Sequence, residues 1–209
     1  MSHWPQFALV FGALAVAAGL AGPVLSQTAS GCGDADPERS ISACTFLIDG
    51  SVGTADDVAI AHYHRGNAYA ARTRHELAIT DYTSAIARHP RFPAAYNNRG
   101  IALAALARFT EAIGDFTEAI RLEPQQVDAH FNRGDLYAKL GELTAAVDDL
   151  TDVVRLTPNN SSAYFARGIV FIRKGDLEAG LADLRTTVKL DPGHARAQQL
   201  VRALRAELH

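Results

Sequence analysis

Residues 93–126 read PAAYNNRGIALAALARFTEAIGDFTEAIRLEPQQ, and this stretch decides the fold. Pro93 suits the first turn of a helix, where a missing N–H donor is not needed. Tyr96, Arg99, Gly100 and Leu103 recur at three- and four-residue steps and therefore share one helical face. Ala112, Phe116 and Ala119 do the same further on, in a small–large–small order suited to interdigitation. Gly100 has no side chain, which lets the second helix approach the first closely. Pro124 ends the second helix, because proline cannot continue a hydrogen-bonded turn. The stretch predicts a helix–turn–helix hairpin.

The hairpin is repeated. Arg-Gly recurs at 65–66, 99–100, 133–134 and 167–168, each pair 34 residues after the last. Pro90, Pro124, Pro158 and Pro192 keep the same step, as do Asp81, Asp115, Asp149 and Asp183. Three residue types holding one register through four copies mark a helical repeat array, in which each unit buries its apolar face against its neighbours. Composition agrees, since apolar residues make up 48% of the chain, aromatics only 8%, and β-branched residues form no alternating runs.

These residues resemble the tetratricopeptide repeat (TPR) family, whose 34-residue pattern places an aromatic, Leu, Gly, Tyr, Ala, Phe, Ala and Pro at fixed offsets. The first unit matches at Gly66, Tyr69, Ala78, Tyr82, Ala85 and Pro90. The third matches at Gly134, Tyr137, Ala146 and Pro158, with Leu150 and Val153 in place of Phe and Ala. The fourth keeps Tyr164, Gly168, Phe171 and Pro192 but departs at Gly180, Leu184 and Thr187. Arg65, Arg99, Arg133 and Arg167 replace the usual Leu, and the Asn-Arg-Gly wording of 98–100 and 132–134 resembles an exported bacterial type. The resemblance implies an all-α, right-handed α-solenoid with units at 59–92, 93–126, 127–160 and 161–192.

Both flanks read as caps, an N-terminal half-repeat within 27–58 and a capping helix within 193–209. Asp36-Pro37-Glu38 is a helix start, with an acidic cap and proline in the first turn. Glu38, Ile41, Cys44 and Ile48 then mirror Glu76, Ile79, Tyr82 and Ile86, so residues 37–49 resemble a lone second helix. At the other end Leu200, Val201 and Leu204 form an apolar stripe against Arg196, Arg202 and Arg205.

Before the half-repeat, residues 7–25 (FALVFGALAVAAGLAGPVL) carry no charge. Gly12, Gly19, Gly22 and Pro23 weaken a permanent membrane span, and Val24-Leu25-Ser26 fits the pattern before a cleavage point. The reading favoured is a signal peptide over residues 1–26 and a periplasmic or secreted protein. A retained membrane anchor is the alternative, since MSHWPQ lacks Lys and Arg. Lipid attachment at Cys32 is weaker, because Ala29 stands where a larger apolar residue is wanted. Cys32 and Cys44 are the chain's two cysteines, and in an oxidising compartment they pair as one disulfide.

The function class follows by elimination and by resemblance. Net charge is −3, with −5 on residues 27–58 and +2 on residues 193–209, and no basic stripe tracks phosphates, so nucleic acid is not an expected partner. His62 and His64 point to different helix faces and cannot share a metal. A metal-assisted hydrolase, the rival reading, needs His62, His89 or His130 to converge. No nucleophile triad, phosphate loop or paired-carboxylate pocket is legible, so no enzyme, metal or cofactor is expected. The TPR resemblance implies a concave groove for a protein or peptide, with Tyr63, Asn67, Asn97, Asn98, Ile101, Phe131, Asn132, Asp135, Phe165 and Ile169 at the matching positions. Asparagine amides offer both donor and acceptor to a peptide backbone, unless they tie helix to helix instead. Tyr63 and Asp128 stand where a carboxylate clamp would place lysines, which excludes that variant. The repeated Arg and Asp rows are expected to be structural pairs. The partner-binding scaffold is thus a protein of the envelope, and an envelope-anchored assembly factor is the variant in which the N-terminus is retained or lipidated.

Overall fold

The computed structural model describes residues 31–51 and 53–207, so the export segment assigned to residues 1–26 lies outside them. Among the described residues ten helices follow one another: α1 (Pro37–Asp49), α2 (Ala55–Ala71), α3 (His75–Arg88), α4 (Pro93–Ala105), α5 (Phe109–Leu122), α6 (Val127–Leu140), α7 (Leu143–Leu156), α8 (Ser161–Lys174), α9 (Leu177–Leu190) and α10 (Ala195–Glu207). Among the described residues there is no strand, and no helix is long and apolar enough to cross a membrane. Each helix packs on the next, most extensively within the hairpins α2–α3, α4–α5, α6–α7 and α8–α9. The first helices α2, α4, α6 and α8 also touch one another from hairpin to hairpin, whereas the second helices have no comparable contact. The first helices therefore line the inside of the curve.

One packing rule closes every hairpin. Tyr82, Phe116, Leu150 and Leu184 are fully buried, one per unit, on the second helix. Each sits opposite a glycine of the first helix. A Cβ built on Gly66 or Gly100 would lie 2.7 Å from the ring of Tyr82 or Phe116. On Gly134 and Gly168 it would meet Leu150 Cγ at 3.2 Å and Leu184 Cγ at 3.5 Å. The departures of the fourth unit are a compensated swap. Ile172 stands where earlier units have Ala70, Ala104 and Ala138, and a Cβ on Gly180 would lie 2.6 Å from Ile172 Cγ1. Thr187, fully buried, donates its hydroxyl to the Asp183 carbonyl at 3.0 Å.

The turns repeat as well. Thr73, Ala107, Gly141 and Gly175 occupy one register position and all have positive φ, 55°, 60°, 86° and 90°. In each turn the following N–H donates back to the first helix, as Arg108 N does to Leu103 O and Glu142 N to Tyr137 O, both at 2.9 Å. Only glycine enters this left-handed region without steric cost, so Thr73 and Ala107 are strained positions.

Both caps have the form expected. Asp36 accepts from Glu38 N at 2.9 Å and Pro37 opens α1. Cys44 is fully buried and bonded to Cys32, with Cα atoms 4.7 Å apart, and Gly33 N donates to the buried Ser40 Oγ at 3.1 Å. Residues 32–36 thus cover the face of α1 that a first helix would cover. At the other end Ala197 and Leu204 are buried, and with Leu200 and Val201 they pack on Leu181 and Leu184.

Candidate functional site

The Arg and Asp rows are ion pairs inside each hairpin. Arg65, Arg99, Arg133 and Arg167 grip Asp81, Asp115, Asp149 and Asp183 two-pronged, with N–O distances of 2.7–2.9 Å. The third arm of each guanidinium reaches back to the preceding second helix, donating to Thr45, Thr83, Thr117 and Thr151. Each arginine therefore pins three helices, and α1 takes part through Thr45 as the second helix of a missing unit. Burial works against the charge of Asp81, but hydrogen bonds from His62 and Arg65 outweigh it and hold its carboxyl below the ordinary value. Hydrogen bonding to Asp115 holds Arg99 above its ordinary value against the opposing effect of burial. The threonines were legible, since Thr83, Thr117 and Thr151 keep the 34-residue step, but the sequence reading passed over them.

The histidines are absorbed by the same scaffold. His62 Nδ1 meets Asp81 at 2.8 Å and His130 Nδ1 meets Asp149 at 3.2 Å, both inside the hairpins. Tyr96 and Tyr164 hold the equivalent places, and their rings lie 5.6 and 5.8 Å from the guanidinium carbons of Arg99 and Arg167. His89 meets Asp56 at the surface. His62, His89 and His130 thus each have a carboxylate partner of their own, and the described residues contain no group of three or more His, Cys, Asp or Glu placed to hold a metal ion.

The asparagines expected to face a ligand bind one another. Asn98 Nδ2 donates to Tyr63 Oη at 3.2 Å and to Asn67 Oδ1 at 2.9 Å, and Tyr82 Oη donates to the same Asn67 oxygen at 2.8 Å. Asn97 donates to Asn98, and Asn132 donates to Asn97 at 3.0 Å. Asn97 is buried. This chain runs across α2, α4 and α6 and ties the inner helices together. Burial pushes the Tyr82 phenol well above its ordinary value, so it stays a donor.

Other residues of the set lie on the surface. Ile101 is 45% exposed, Asp135 is exposed, and Phe165 and Ile169 are half-buried. Phe131 is half-buried but packs into the core against Val153 and Ala163. Four shallow hollows run in sequence along the inner helices. The first, about 160 Å³, is lined by Gly33, His64 and Asn67. The second, about 210 Å³, shares Asn67 and adds Asn98 and Ile101. The third, about 250 Å³, shares Ile101 and adds Phe109, Asn132, Asp135 and Lys139. The fourth, about 260 Å³, shares Asp135 and Lys139 and adds Phe165, Ile169, Arg173 and Arg196. Shared lining residues make these hollows one continuous trough along the curve.

Residues 63–126 and 100–161 match the tetratricopeptide repeat family. No curated protein matches the sequence. Among solved structures, YrrB, described as a TPR protein with an unusual peptide-binding site, is 21% identical, with 84% of this chain and 86% of that chain covered and a TM-score of 0.66. MamA of Desulfovibrio magneticus RS-1 is 16% identical over 85% of this chain and 98% of that chain, with a TM-score of 0.72. A chain of the APC/C hetero-tetramer Cut9–Hcn1 is 22% identical over 80% of this chain and 33% of that chain, with a TM-score of 0.67. Inner and outer helices, glycine–knob hairpins and this likeness agree: residues 63–161 carry tetratricopeptide repeats, and the described chain is an all-α solenoid of the TPR type.

Proposed function

We propose that the chain is a non-catalytic interaction scaffold of the bacterial cell envelope that holds a polypeptide segment along its concave face. The observation that carries this reading is the unbroken row of hollows from His64 to Arg196, which suits an extended segment better than a single small molecule. YrrB, of like fold, has a peptide-binding site. Contact falls to Asn67, Asn98, Ile101, Asn132, Asp135, Phe165 and Ile169, which line the hollows, while Tyr63 and Asn97 help hold the inner helices in register. The units 59–92, 93–126, 127–160 and 161–192, with caps in 27–58 and 193–209, form the working array.

The Cys32–Cys44 disulfide supports an oxidising compartment, and with it export directed by residues 1–26. It also occupies the sulfur that lipid attachment at Cys32 would need, which disfavours the lipid-anchored variant. Mass spectrometry of the mature N-terminus separates cleavage after Ser26 from retention.

A photo-crosslinking residue at position 101 should capture a partner polypeptide, whereas one at Arg185 on the outer helix α9 should not. Ile101→Arg should abolish crosslinks formed from position 135. Equal capture from 101 and 185, or crosslinks untouched by Ile101→Arg, would move the binding surface elsewhere.

A further inference from the structure

We infer that the C-terminal end of the trough is built for an acidic, apolar segment of a partner polypeptide, an inference that rests on the concave face being the binding surface. A surface position whose residue changes type along the 34-residue register is not dictated by packing, and such a position lies on the inner helices. At one inner position the four units carry Ala71, Ala105, Lys139 and Arg173. The trough is therefore uncharged there in its first half and cationic in its second. Lys139, Arg173 and Arg196 are far apart in the sequence and come together only around the fourth hollow.

That hollow has an apolar floor and a basic rim. Leu150 and Val170 are buried beneath it, Phe165 and Ile169 stand in its wall, and Lys139, Arg173 and Arg196 border it. Lys139 meets Asp135 at 2.7 Å, but both side chains are at least half exposed, and such pairs are worth roughly 0–1 kcal/mol, so Lys139 is readily recruited. Among the described residues neither Arg173 nor Arg196 has a carboxylate within 4.0 Å. The Arg196 guanidinium lies 5.8 Å from the centre of the Phe165 ring, which orients it over the hollow.

The three cations stand on three successive inner helices, α6, α8 and α10. Packed helix axes lie roughly 8–10 Å apart, and an extended chain advances about 3.3 Å per residue. The positive charge is spread over several residues of a bound strand rather than focused on one point. This favours acidic side chains flanking an apolar one over a single terminal carboxylate. Complementary rim charge selects the partner and speeds its arrival.

The test uses the full chain and three short fluorescein-labelled peptides, each amidated at its C-terminus. They consist of leucines flanked by Glu, by Gln or by Lys. The Glu peptide should bind roughly tenfold more tightly than the Gln peptide, with an advantage that fades as salt rises, and the Lys peptide should bind most weakly. Arg173→Glu with Arg196→Glu should reduce the Glu peptide to the Gln level at unchanged thermal stability. Arg173→Lys with Arg196→Lys should retain most of the preference. Equal binding of Glu and Gln peptides, both lost on Ile169→Asn in the wall of the fourth hollow, would overturn the acidic segment and leave the groove reading standing. Peptide binding that survives Ile169→Asn would place the peptide outside the trough and overturn the groove reading itself, and no binding of any peptide would overturn the acidic segment. A Gln peptide that recovers the Glu affinity when its free C-terminal carboxylate is restored would assign the hollow to a chain terminus instead, again against the proposal.

Discussion

Gly100→Ala tests the packing rule on which the array is built. In an exposed helix interior the change should stabilise by about 0.5–1 kcal/mol, because alanine loses less backbone freedom on folding. Here the new methyl would lie 2.7 Å from Phe116 Cε1 and 2.9 Å from Cδ1, and Phe116 is fully buried, so the ring must shift to admit it. Overpacking of that kind costs roughly 1–3 kcal/mol, so a net loss of about 1–2 kcal/mol is expected. For a chain of this size that corresponds to a drop in Tm of a few degrees, about 2–4 °C per kcal/mol. Gly114→Ala, where a Cβ meets nothing within 4 Å, should instead raise Tm slightly. Gly100→Ala combined with Phe116→Leu should lose less than the sum of the two changes, because Leu184 leaves 3.5 Å to the Cβ position of Gly168. Circular-dichroism melts of the four variants, with amide exchange on α4 and α5, give the numbers. A Gly100→Ala protein as stable as Gly114→Ala, or strictly additive changes, would refute the reasoning.

Four further outcomes follow from the same geometry. Asp115→Ala leaves the Arg99 guanidinium largely buried without its carboxylate, and should lower stability by about 3 kcal/mol in urea denaturation while Arg173-dependent peptide binding persists in the remaining folded protein. Ala107→Gly relieves the positive φ of 60° and should raise Tm, by an amount equivalent to roughly 0.5–1 kcal/mol. Because the folded-state value of Asp81 lies below its ordinary 3.8, its ion pair contributes stability above that pH and loses it as pH falls through the lower folded value; Asp81→Asn should flatten the acid limb of a stability-versus-pH profile. Reducing the Cys32–Cys44 bond, which spans a sequence separation of 12, should cost about 3 kcal/mol in the chain-entropy view and speed amide exchange in α1 first.

The sequence by itself determined the architecture, because the repeat is a local property written four times. Gly100, Phe116 and Pro124 lie within one unit, so their spacing alone predicts the hairpin, while the Arg and Asp rows announce structural pairs without saying whether each closes within its own hairpin or on the next. The half-repeat, the end helix and the cysteine pair were legible for the same reason, since each imitates or closes a neighbouring unit. What the tertiary structure decided are the relations between units. Asn98 looks like a ligand-facing amide in the sequence, but its partners Tyr63 and Asn67 lie 35 and 31 residues away, on the adjacent inner helix. Only the stacking of α2 on α4 reveals that its donors are already satisfied. The three-helix grip of each arginine needs the threonine of the preceding unit. The basic rim of the fourth hollow gathers Lys139, Arg173 and Arg196 from three helices. Periodicity encodes what each unit does alike, and it is silent on side chains that differ from unit to unit and meet only when the units stack.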